Sequence, residues 1–258
     1  MPRGERTVTV PAMKVLLLMV VLAACGNDEM SEAQAPSTPS DDYYKWDGRR
    51  VLCSVPIDDL TGVTRNWTAE ESRIREASKM GWITFAHAHI PGTTVSRDAL
   101  EQMFGLADKY HLDYVTFGEM ETAHPTGALA FAFDDWSVEQ WLSIRDILQE
   151  HHAKVTFFVG KWQTLTPDEL QGVATLAADG NDIEPHSVNH VHALDYVAQF
   201  GVTDYVQKEV VPSIDAVNSA GYHATSYAYP FGEHDDAIDA AVLQVIPRVR
   251  TTPGECPP

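Results

Sequence analysis

Short apolar runs alternate with amphipathic segments along most of the chain. Apolar runs with strand character cover residues 82–85, 114–117, 128–133, 154–159 and 225–229. Segments with helical periodicity lie between them, at residues 96–110, 137–151, 166–179, 202–219 and 236–244. Such alternation predicts a parallel sheet covered by helices, in a single α/β domain.

Two of these helices carry explicit start signals. Ser137 and Gln140 have the spacing of a capping box. Thr166 followed by Pro167, with Gly180 just past the end, predicts a second helix with the usual proline and glycine asymmetry. Pro212 is expected to interrupt the helix over residues 202–219.

The chain opens with an apolar segment too short to span a membrane. Lys14 precedes the apolar run 15–24, which is long enough for the core of a signal peptide over residues 1–24. This run leads into Cys25 and resembles the lipobox of bacterial lipoproteins, in which the cysteine is lipidated. An ordinary secretory signal is the alternative, and residues 1–12 have the character of an upstream extension.

Residues 25–42 then predict the lipidated cysteine and a flexible tether, since this stretch is rich in Ser, Pro, Ala and acids. About 216 residues remain from Tyr43 onward, which suits one large domain over residues 43–258. We therefore expect an exported protein anchored by lipid to a bacterial membrane, on its periplasmic or cell-surface side.

Charge narrows the class of partner. The formal charge of the whole chain is −19. Residues 1–24 carry a net charge of +2, so the rest of the chain carries −21. A surface of this sign does not favour nucleic acid or other anionic polymers. Neutral or cationic glycans fit better, and the oligomeric state stays open.

Three short stretches carry the candidate chemistry. Asp134 and Asp135 end an apolar strand, His186 and His190 follow residues 182–185, and residues 229–232 form a turn. Two imidazoles and a carboxylate can hold a divalent ion while a second carboxylate remains free as a base. Each stretch alone has an ordinary explanation, as a helix cap or a pair of surface histidines.

In this order, the three stretches resemble the polysaccharide deacetylase family, also called the NodB-homology or carbohydrate esterase family 4 enzymes, over roughly residues 80–252. The resemblance implies a distorted (β/α) barrel, with Asp134 as general base and Asp135, His186 and His190 as metal ligands. It also implies that the backbone N–H of Phe231 faces the oxyanion and that Tyr229 walls the site. The ligand types suit one zinc ion, with cobalt and nickel as alternatives.

The chain departs from the family pattern at three points. Ala228 occupies the position where many members carry an arginine that holds the catalytic aspartate, so the orientation of Asp134 is expected to come from elsewhere. Trp136 replaces a small residue after the acidic pair. No histidine follows His234, although the family places the histidine that acts as general acid near the end of the domain. One explanation left open is that the domain lacks its C-terminal end.

Two histidines offer a substitute for that acid. His87 and His89 end the strand near residue 85 and point to the same side, so they are expected either to line the barrel mouth, to replace the missing acid or to bind a metal. The segment Ile57-Asp58-Asp59 repeats the apolar-acidic pattern of the main motif. His192 is an alternative to His190 as a ligand.

Cysteine usage fits an exported domain. With Cys25 committed to lipid, Cys53 and Cys256 remain, and an oxidising compartment would let them pair. A buried free Cys53 is the alternative.

The resulting hypothesis is a metal-dependent hydrolase that acts on carbon–nitrogen bonds other than peptide bonds, removing N-acetyl groups from a cell-envelope or extracellular glycan. An O-acetyl esterase of the xylan type is one alternative. A degenerate, non-catalytic glycan-binding lipoprotein is the other.

Overall fold

The apolar runs form strands of two sheets, and amphipathic helices cover the larger one. In this computed structural model, residues 1, 43–120 and 126–253 are described, and residues 43–253 lie within the compact unit Thr38–Pro258. The strands are β1 (Tyr43–Tyr44), β2 (Val51–Cys53), β3 (Val55–Pro56), β4 (Ile83–Ala88), β5 (Asp113–Tyr114), β6 (Ala128–Asp135), β7 (Thr156–Val159), β8 (Asp182–Pro185), β9 (Ser226–Ala228) and β10 (Arg248–Thr251). The helices are α1 (Trp67–Met80), α2 (Arg97–Lys109), α3 (Val138–Leu142), α4 (Arg145–Glu150), α5 (Pro167–Ala178), α6 (Ala193–Phe200), α7 (Val202–Tyr205), α8 (Val211–Ser219) and α9 (Asp236–Val242).

The larger sheet has the order β1-β4-β6-β7-β8, with β3 beside β4 and β5 beside β6. All of its pairings are parallel except that of β1 with β4. The smaller sheet has the order β2-β10-β9 and is parallel throughout. Parallel strands bring their carboxyl ends to one edge, where functional groups of such folds collect.

Two seams join the sheets into a distorted barrel. At the first, the chain passes from β2, which pairs with β10, to β3, which pairs with β4. At the second, no ladder joins β8 to β9 within the described residues, and the fully buried carboxylate of Glu184 takes its place. It accepts hydrogen bonds from the amides of Thr225 (2.9 Å) and Ser226 (3.1 Å) and from the Thr225 hydroxyl (2.6 Å).

Strand parity decides which side chains enter the barrel. Along β6, Ala128, Ala130 and Ala132 pack in the barrel interior with Phe85 of β4. The alternate large residues, such as Phe131, pack against the helices instead. Since successive side chains face opposite sides, Asp134 continues the inward series of β6, and His87 continues that of β4.

The predicted α/β fold, a distorted (β/α) barrel in a single domain, is confirmed. The helix predicted over residues 96–110 is α2, capped by the Ser96 side chain. The helix predicted to start at Thr166 is α5, and its start is stabilised by a capping box of Thr166 and Glu169.

Other predictions need correction. The Ser137 side chain makes no cap hydrogen bond, and the helix predicted over residues 137–151 is split into α3 and α4. The interruption predicted for the helix over residues 202–219 is present as a π-helical turn, Val206–Val210, just ahead of Pro212, which supplies no N–H to continue the regular ladder. The strand predicted over residues 114–117 stops at Tyr114 and passes into a 3-10 turn.

The predicted signal peptide (residues 1–24), Cys25 with its tether to residue 42, and Cys256 lie outside the described residues, apart from Met1. Cys53 is buried and forms a disulfide. Among the helices that the structure describes, none has the length and apolar character needed to cross a membrane.

Candidate active site

The eight residues predicted to act in or around the site line one cavity of about 350 Å³ at the carboxyl ends of the barrel strands. They are Asp134, Asp135, His186, His190, Tyr229, Phe231, His87 and His89. Arg250 of β10, which the sequence did not single out, lines the same cavity.

The predicted metal ligands converge on one side of this cavity. Asp135 Oδ1 lies 3.8 Å from His186 Nε2 and 3.2 Å from His190 Nε2. The three ligand atoms lie within 4.8 Å of one another, so one ion can reach all of them. Two imidazole nitrogens and one carboxylate oxygen form a donor set suited to zinc and its neighbours.

The state of His186 fits a ligand role. Its Nδ1 lies 2.8 Å from the carbonyl oxygen of Ala228, and because a carbonyl only accepts, Nδ1 carries the hydrogen and Nε2 keeps its lone pair. Burial, together with the charges of His190 and Arg250, lowers the pKa of His186 to about 4. The imidazole is therefore neutral at pH 7, as a metal ligand must be.

The two histidines do not lie on one helical face as their spacing suggested. Residues 186–192 form a loop after β8, in which Ser187 and His190 have φ of 71° and 58°. The amide of His190 donates to the Ser187 hydroxyl at 3.2 Å. The histidines thus converge through a tight turn rather than through helical periodicity. Asp135 also leaves its strand with a positive φ, 89°, and its carboxylate meets the histidines instead of following the outward parity of β6.

Asp134 occupies the other side of the cavity and is 2% exposed. Its Oδ2 forms a buried ion pair with the guanidinium of Arg250, and its Oδ1 has no hydrogen-bond partner in the described part of the chain. Burial would raise the pKa of Asp134, but the charge of Arg250, with those of the nearby histidines, holds it well below its usual range. Asp134 is therefore ionised and keeps one oxygen free.

Arg250 holds Asp134 from the strand next to Ala228, the position where the resemblance leads us to expect an arginine. Ala228 of β9 is paired in register with Arg250 of β10. Paired residues on adjacent strands project to the same face, so the guanidinium reaches Asp134 from one strand further along the sheet. Asp134 was expected to be oriented by a residue other than one at position 228, and Arg250 is that residue.

His89, at the end of β4, points its Nε2 toward Asp134, 4.0 Å from Oδ2. Its Nδ1 donates to Asp58 Oδ2 at 2.7 Å, and its backbone amide donates to Asp58 Oδ1 at 3.1 Å. Burial lowers the pKa of His89, but the bond to Asp58 and the charges of Asp134 and Asp135 outweigh it and raise the pKa to about 9. His89 is therefore protonated at neutral pH.

His87 differs from His89 in its surroundings. It is fully enclosed, and its Nδ1 lies 3.0 Å from the Ser54 hydroxyl. Burial and the charge of Arg250 hold the pKa of His87 well below its ordinary value. His87, His89 and Asp134 also lie close enough to hold an ion, but the guanidinium on Asp134 opposes a second cation there.

Aromatic rings surround the metal ligands at the rim. Phe231 has φ of 59°, is 50% exposed and stacks on His192 with ring centroids 3.8 Å apart. His192 pairs through Nδ1 with Glu233 at 2.7 Å, and it is not among the three residues whose donor atoms converge, which are Asp135, His186 and His190. Trp136 meets His190 edge-on at 5.4 Å, with the ammonium of Lys161 3.8 Å above its ring.

Tyr229 forms part of the cavity wall and is almost fully buried. Its hydroxyl donates to Asp239 Oδ1 at 2.8 Å, and the other oxygen of Asp239 accepts from His234 Nδ1 at 2.8 Å. The ring of Tyr229 is thereby fixed from behind.

A sequence model of the family described as polysaccharide deacetylase matches residues 121–245, just under half of the chain. This match confirms the resemblance carried by the three motifs and supports glycan deacetylation as the class of chemistry. A search of curated proteins returns no match.

Solved structures of deacetylases share the fold, among them the following three. The Streptococcus pyogenes deacetylase PplD, in complex with acetate, is 17% identical with a TM-score of 0.51, over 61% of this chain and 77% of that one. A polysaccharide deacetylase from Bacillus cereus is 14% identical with a TM-score of 0.53, over 66% and 60%. IcaB from Ammonifex degensii is 16% identical with a TM-score of 0.52, over 64% and 84%. At these identities the similarity extends to the fold alone.

Proposed function

We propose that this protein is a metal-dependent deacetylase that hydrolyses N-acetyl groups of a cell-envelope or extracellular glycan. One observation carries the proposal. A three-residue metal site, an ionised Asp134 with a free oxygen and a protonated His89 all border the same cavity. Ligands, base and acid are the parts that hydrolysis of an amide requires.

Asp135, His186 and His190 would hold the ion, and the donor set favours zinc, with cobalt or nickel as alternatives. When bound, such an ion supplies Lewis acidity, bringing the pKa of a water toward about 7 and polarising the acetyl carbonyl.

Asp134 is the proposed general base. Its free Oδ1 accepts the proton of the attacking water while Arg250 holds Oδ2. The ion pair keeps Asp134 deprotonated and restricts its rotation, so the base is preorganised. The reaction is acyl transfer to water, and acetate is released.

The backbone amide of Phe231 is the proposed donor to the oxyanion that forms on the acetyl oxygen. The positive φ of Phe231 sets the direction of this turn at the cavity wall. A donor fixed before the reaction stabilises the developing charge without reorganisation. Tyr229 walls the acetyl-binding space from its fixed position against Asp239.

His89, rather than His87, is the proposed acid for the leaving amine. It is partly exposed at the cavity, protonated at neutral pH and oriented through Asp58. An amine leaves only after its nitrogen gains a proton, which His89 can donate. His87 is neutral and enclosed, so it lacks the acidic imidazolium proton that a general acid must donate.

The alternative within the same chemistry is an O-acetyl esterase, because ester and amide hydrolysis use the same base and ion. The protonated His89 favours the amide, since an alcohol leaving group depends less on an acid. A purely glycan-binding role would give no reason for an ionised, buried carboxylate with a free oxygen at the wall of this cavity.

The experiment combines metal analysis with substrate assays. Purified protein should hold about one first-row ion and release acetate from acetylated chitooligosaccharides or peptidoglycan faster than from acetylxylan. His186→Ala with His190→Ala should lose the ion, whereas His192→Ala, a matched neighbouring histidine outside the ligand trio, should keep it. Full metal content in the double variant, or no hydrolysis of any acetylated glycan with zinc or cobalt supplied, would overturn the proposal.

We also propose that the protein is exported and anchored through lipid on Cys25, with residues 26–42 as a tether. The short apolar run before this cysteine supports an anchor of this kind. Cys25→Ser should move the protein from the membrane fraction to the soluble exported fraction while deacetylation continues. Unchanged membrane association would contradict the anchor.

A further inference from the structure

Glu209 lies in the π-helical turn Val206–Val210 and is 1% exposed. It is not part of the cavity lining, and no family motif drew attention to it. A buried carboxylate loses its hydration, which destabilises the fold unless its hydrogen-bond partners compensate. The identity of those partners therefore indicates what the burial achieves.

The hydrogen bonds of Glu209 converge on the segment between the two histidine ligands. Its Oε2 accepts from the Ser187 hydroxyl at 2.7 Å and from the Asn189 amide at 2.8 Å. Its Oε1 accepts from the Asn189 side-chain amide at 2.7 Å. Its backbone carbonyl accepts from the amide of Val188 at 3.2 Å. Glu209 thus bonds to each of the three residues that separate His186 from His190.

This segment needs such support because its backbone is strained. Ser187 and His190 both have positive φ, a conformation that is unfavourable for a non-glycine residue unless its surroundings hold it there. The Ser187 hydroxyl both donates to Glu209 and accepts from the amide of His190. A continuous path of hydrogen bonds therefore runs from Glu209 to the second histidine ligand.

The π-helical turn itself supports a functional role for Glu209. Such turns are rare and occur preferentially at functional sites. This one lies directly between α7 and α8 and presents both the carboxylate and the carbonyl of Glu209 to the same loop.

We infer that Glu209 is a positioning residue that fixes the 186–190 loop in its metal-binding conformation and so sets metal affinity. The inference rests on the proposed metal site. Glu209 touches neither the ion nor the substrate. Residues that orient metal ligands from behind typically contribute about 10–100-fold in affinity.

Glu209→Gln is the most informative substitution. Both carboxylate oxygens accept from donors, whereas a glutamine has one oxygen, so its NH₂ group must face either the Asn189 side chain or the Ser187 and Asn189 donors. We expect the dissociation constant for zinc, measured by chelator competition, to rise about 10–100-fold. We also expect the visible spectrum of the cobalt-loaded protein to change, because the geometry at His190 is no longer fixed.

Glu70→Gln is the matched control. Glu70 is also a buried, hydrogen-bonded glutamate, but its partner is Arg73 of α1. The Glu70→Gln substitution should lower the melting temperature and leave the zinc affinity and the cobalt spectrum unchanged. A merely structural role for Glu209 would make the two variants alike.

Asn189→Ala keeps the test valid if Glu209→Gln does not fold, because Asn189 is exposed. It removes the contact to Oε1 and should weaken zinc binding less than Glu209→Gln. The double variant should be no weaker than Glu209→Gln alone, since both act through one interaction.

The outcomes separate the two proposals. Absence of first-row metal from the wild-type protein would overturn the proposed function itself. If the wild type binds zinc and Glu209→Gln binds it equally well with an unchanged cobalt spectrum, the metal site stands and the role of Glu209 fails.

Discussion

The two sides of the cavity differ in how the chain supplies their residues. On the metal side, Asp135 ends one strand, and His186 and His190 come from a single loop. On the proton-transfer side, four separate places in the chain contribute: Asp134 from β6, Arg250 from β10, His89 after β4 and Asp58 after β3. The first side is held mainly by local turns with positive φ, and the second depends on strand register across the barrel.

The two sides also differ electrostatically. The metal side presents two imidazoles, of which His186 is neutral at pH 7, and one carboxylate, and this set suits a cation. The proton-transfer side balances its own charges through the pairs Asp134–Arg250 and Asp58–His89. Substitutions on the two sides should therefore have separable consequences, metal loss on one and loss of proton transfer on the other.

The largest separation is expected between the adjacent aspartates. Asp134→Asn keeps the shape but removes the proton acceptor, so turnover on every substrate should fall by about 10²–10⁴. Its zinc content, measured by elemental analysis, should stay near that of the wild type. Asp135→Asn should lose zinc first. Equal zinc loss in both variants would contradict the assignment of Asp135 to metal binding and Asp134 to proton transfer.

His89→Ala tests the acid and should discriminate between substrates. Hydrolysis of N-acetyl groups should slow by about 10²–10⁴, because the leaving amine requires a proton. Activated aryl acetates need little protonation, and their rate should change much less. His87→Ala is the matched comparison, and a stronger effect there would reassign the acid to His87.

Arg250→Ala tests the register-dependent ion pair. Removal of one partner leaves Asp134 buried and uncompensated, which should destabilise the protein by about 3–5 kcal/mol in urea unfolding. Ala228→Arg introduced into this variant should restore part of the stability and turnover, because the two positions are paired in register.

Arg248→Ala supplies the control for that experiment. Arg248 lies on the same strand and is buried, and its guanidinium donates to the carbonyl of Phe117 at 3.2 Å. Its loss should lower stability while turnover persists. Undiminished turnover in Arg250→Ala would mean that Asp134 needs no cation beside it.

The smallest effect is expected from Asp58→Asn, as a change in pH dependence. A pKa of about 9 for His89 predicts that amide hydrolysis declines as the pH rises through 9, where the acid loses its proton. Without the Asp58 charge, the pKa of His89 should fall toward its ordinary value of about 6.5. The alkaline limb of the rate profile should move downward accordingly, and an unmoved limb would assign it to another group.

The same contrast explains what could be read from the chain alone. The metal residues and Asp134 lie in short contiguous motifs at the ends of apolar strands, so their grouping could be predicted. The inward position of Arg250 could not be predicted, because the short segment between Pro247 and Pro253 places two arginines on either side of one valine, a pattern typical of an exposed edge strand. Its inward direction follows only from the pairing of β10 with both β9 and β2.

Asp58 and His89 represent an intermediate case. The residue types of both segments marked them as candidates for the site. The contact between Asp58 and His89 could not be predicted, because it requires β3 to lie beside β4, with Pro56 opposite His87. Among the helices, those with strong caps, α2 and α5, could be predicted closely. The helix α1 was not predicted, although Asn66 caps its start and Gly81 its end, because its surface is dominated by charged residues.

The arginine beside the catalytic aspartate lies on β10, at Arg250, and not on β9, at position 228. This placement affects how related sequences are classified as active or inactive. Adjacent strands lie about 4.8 Å apart, and an arginine side chain is long enough to absorb one such step. An arginine on either of these two paired strands can therefore bring its charge to the same carboxylate. Screens that require the arginine at its customary place in the motif would discard such chains as inactive, whereas a search of the neighbouring strand would retain them.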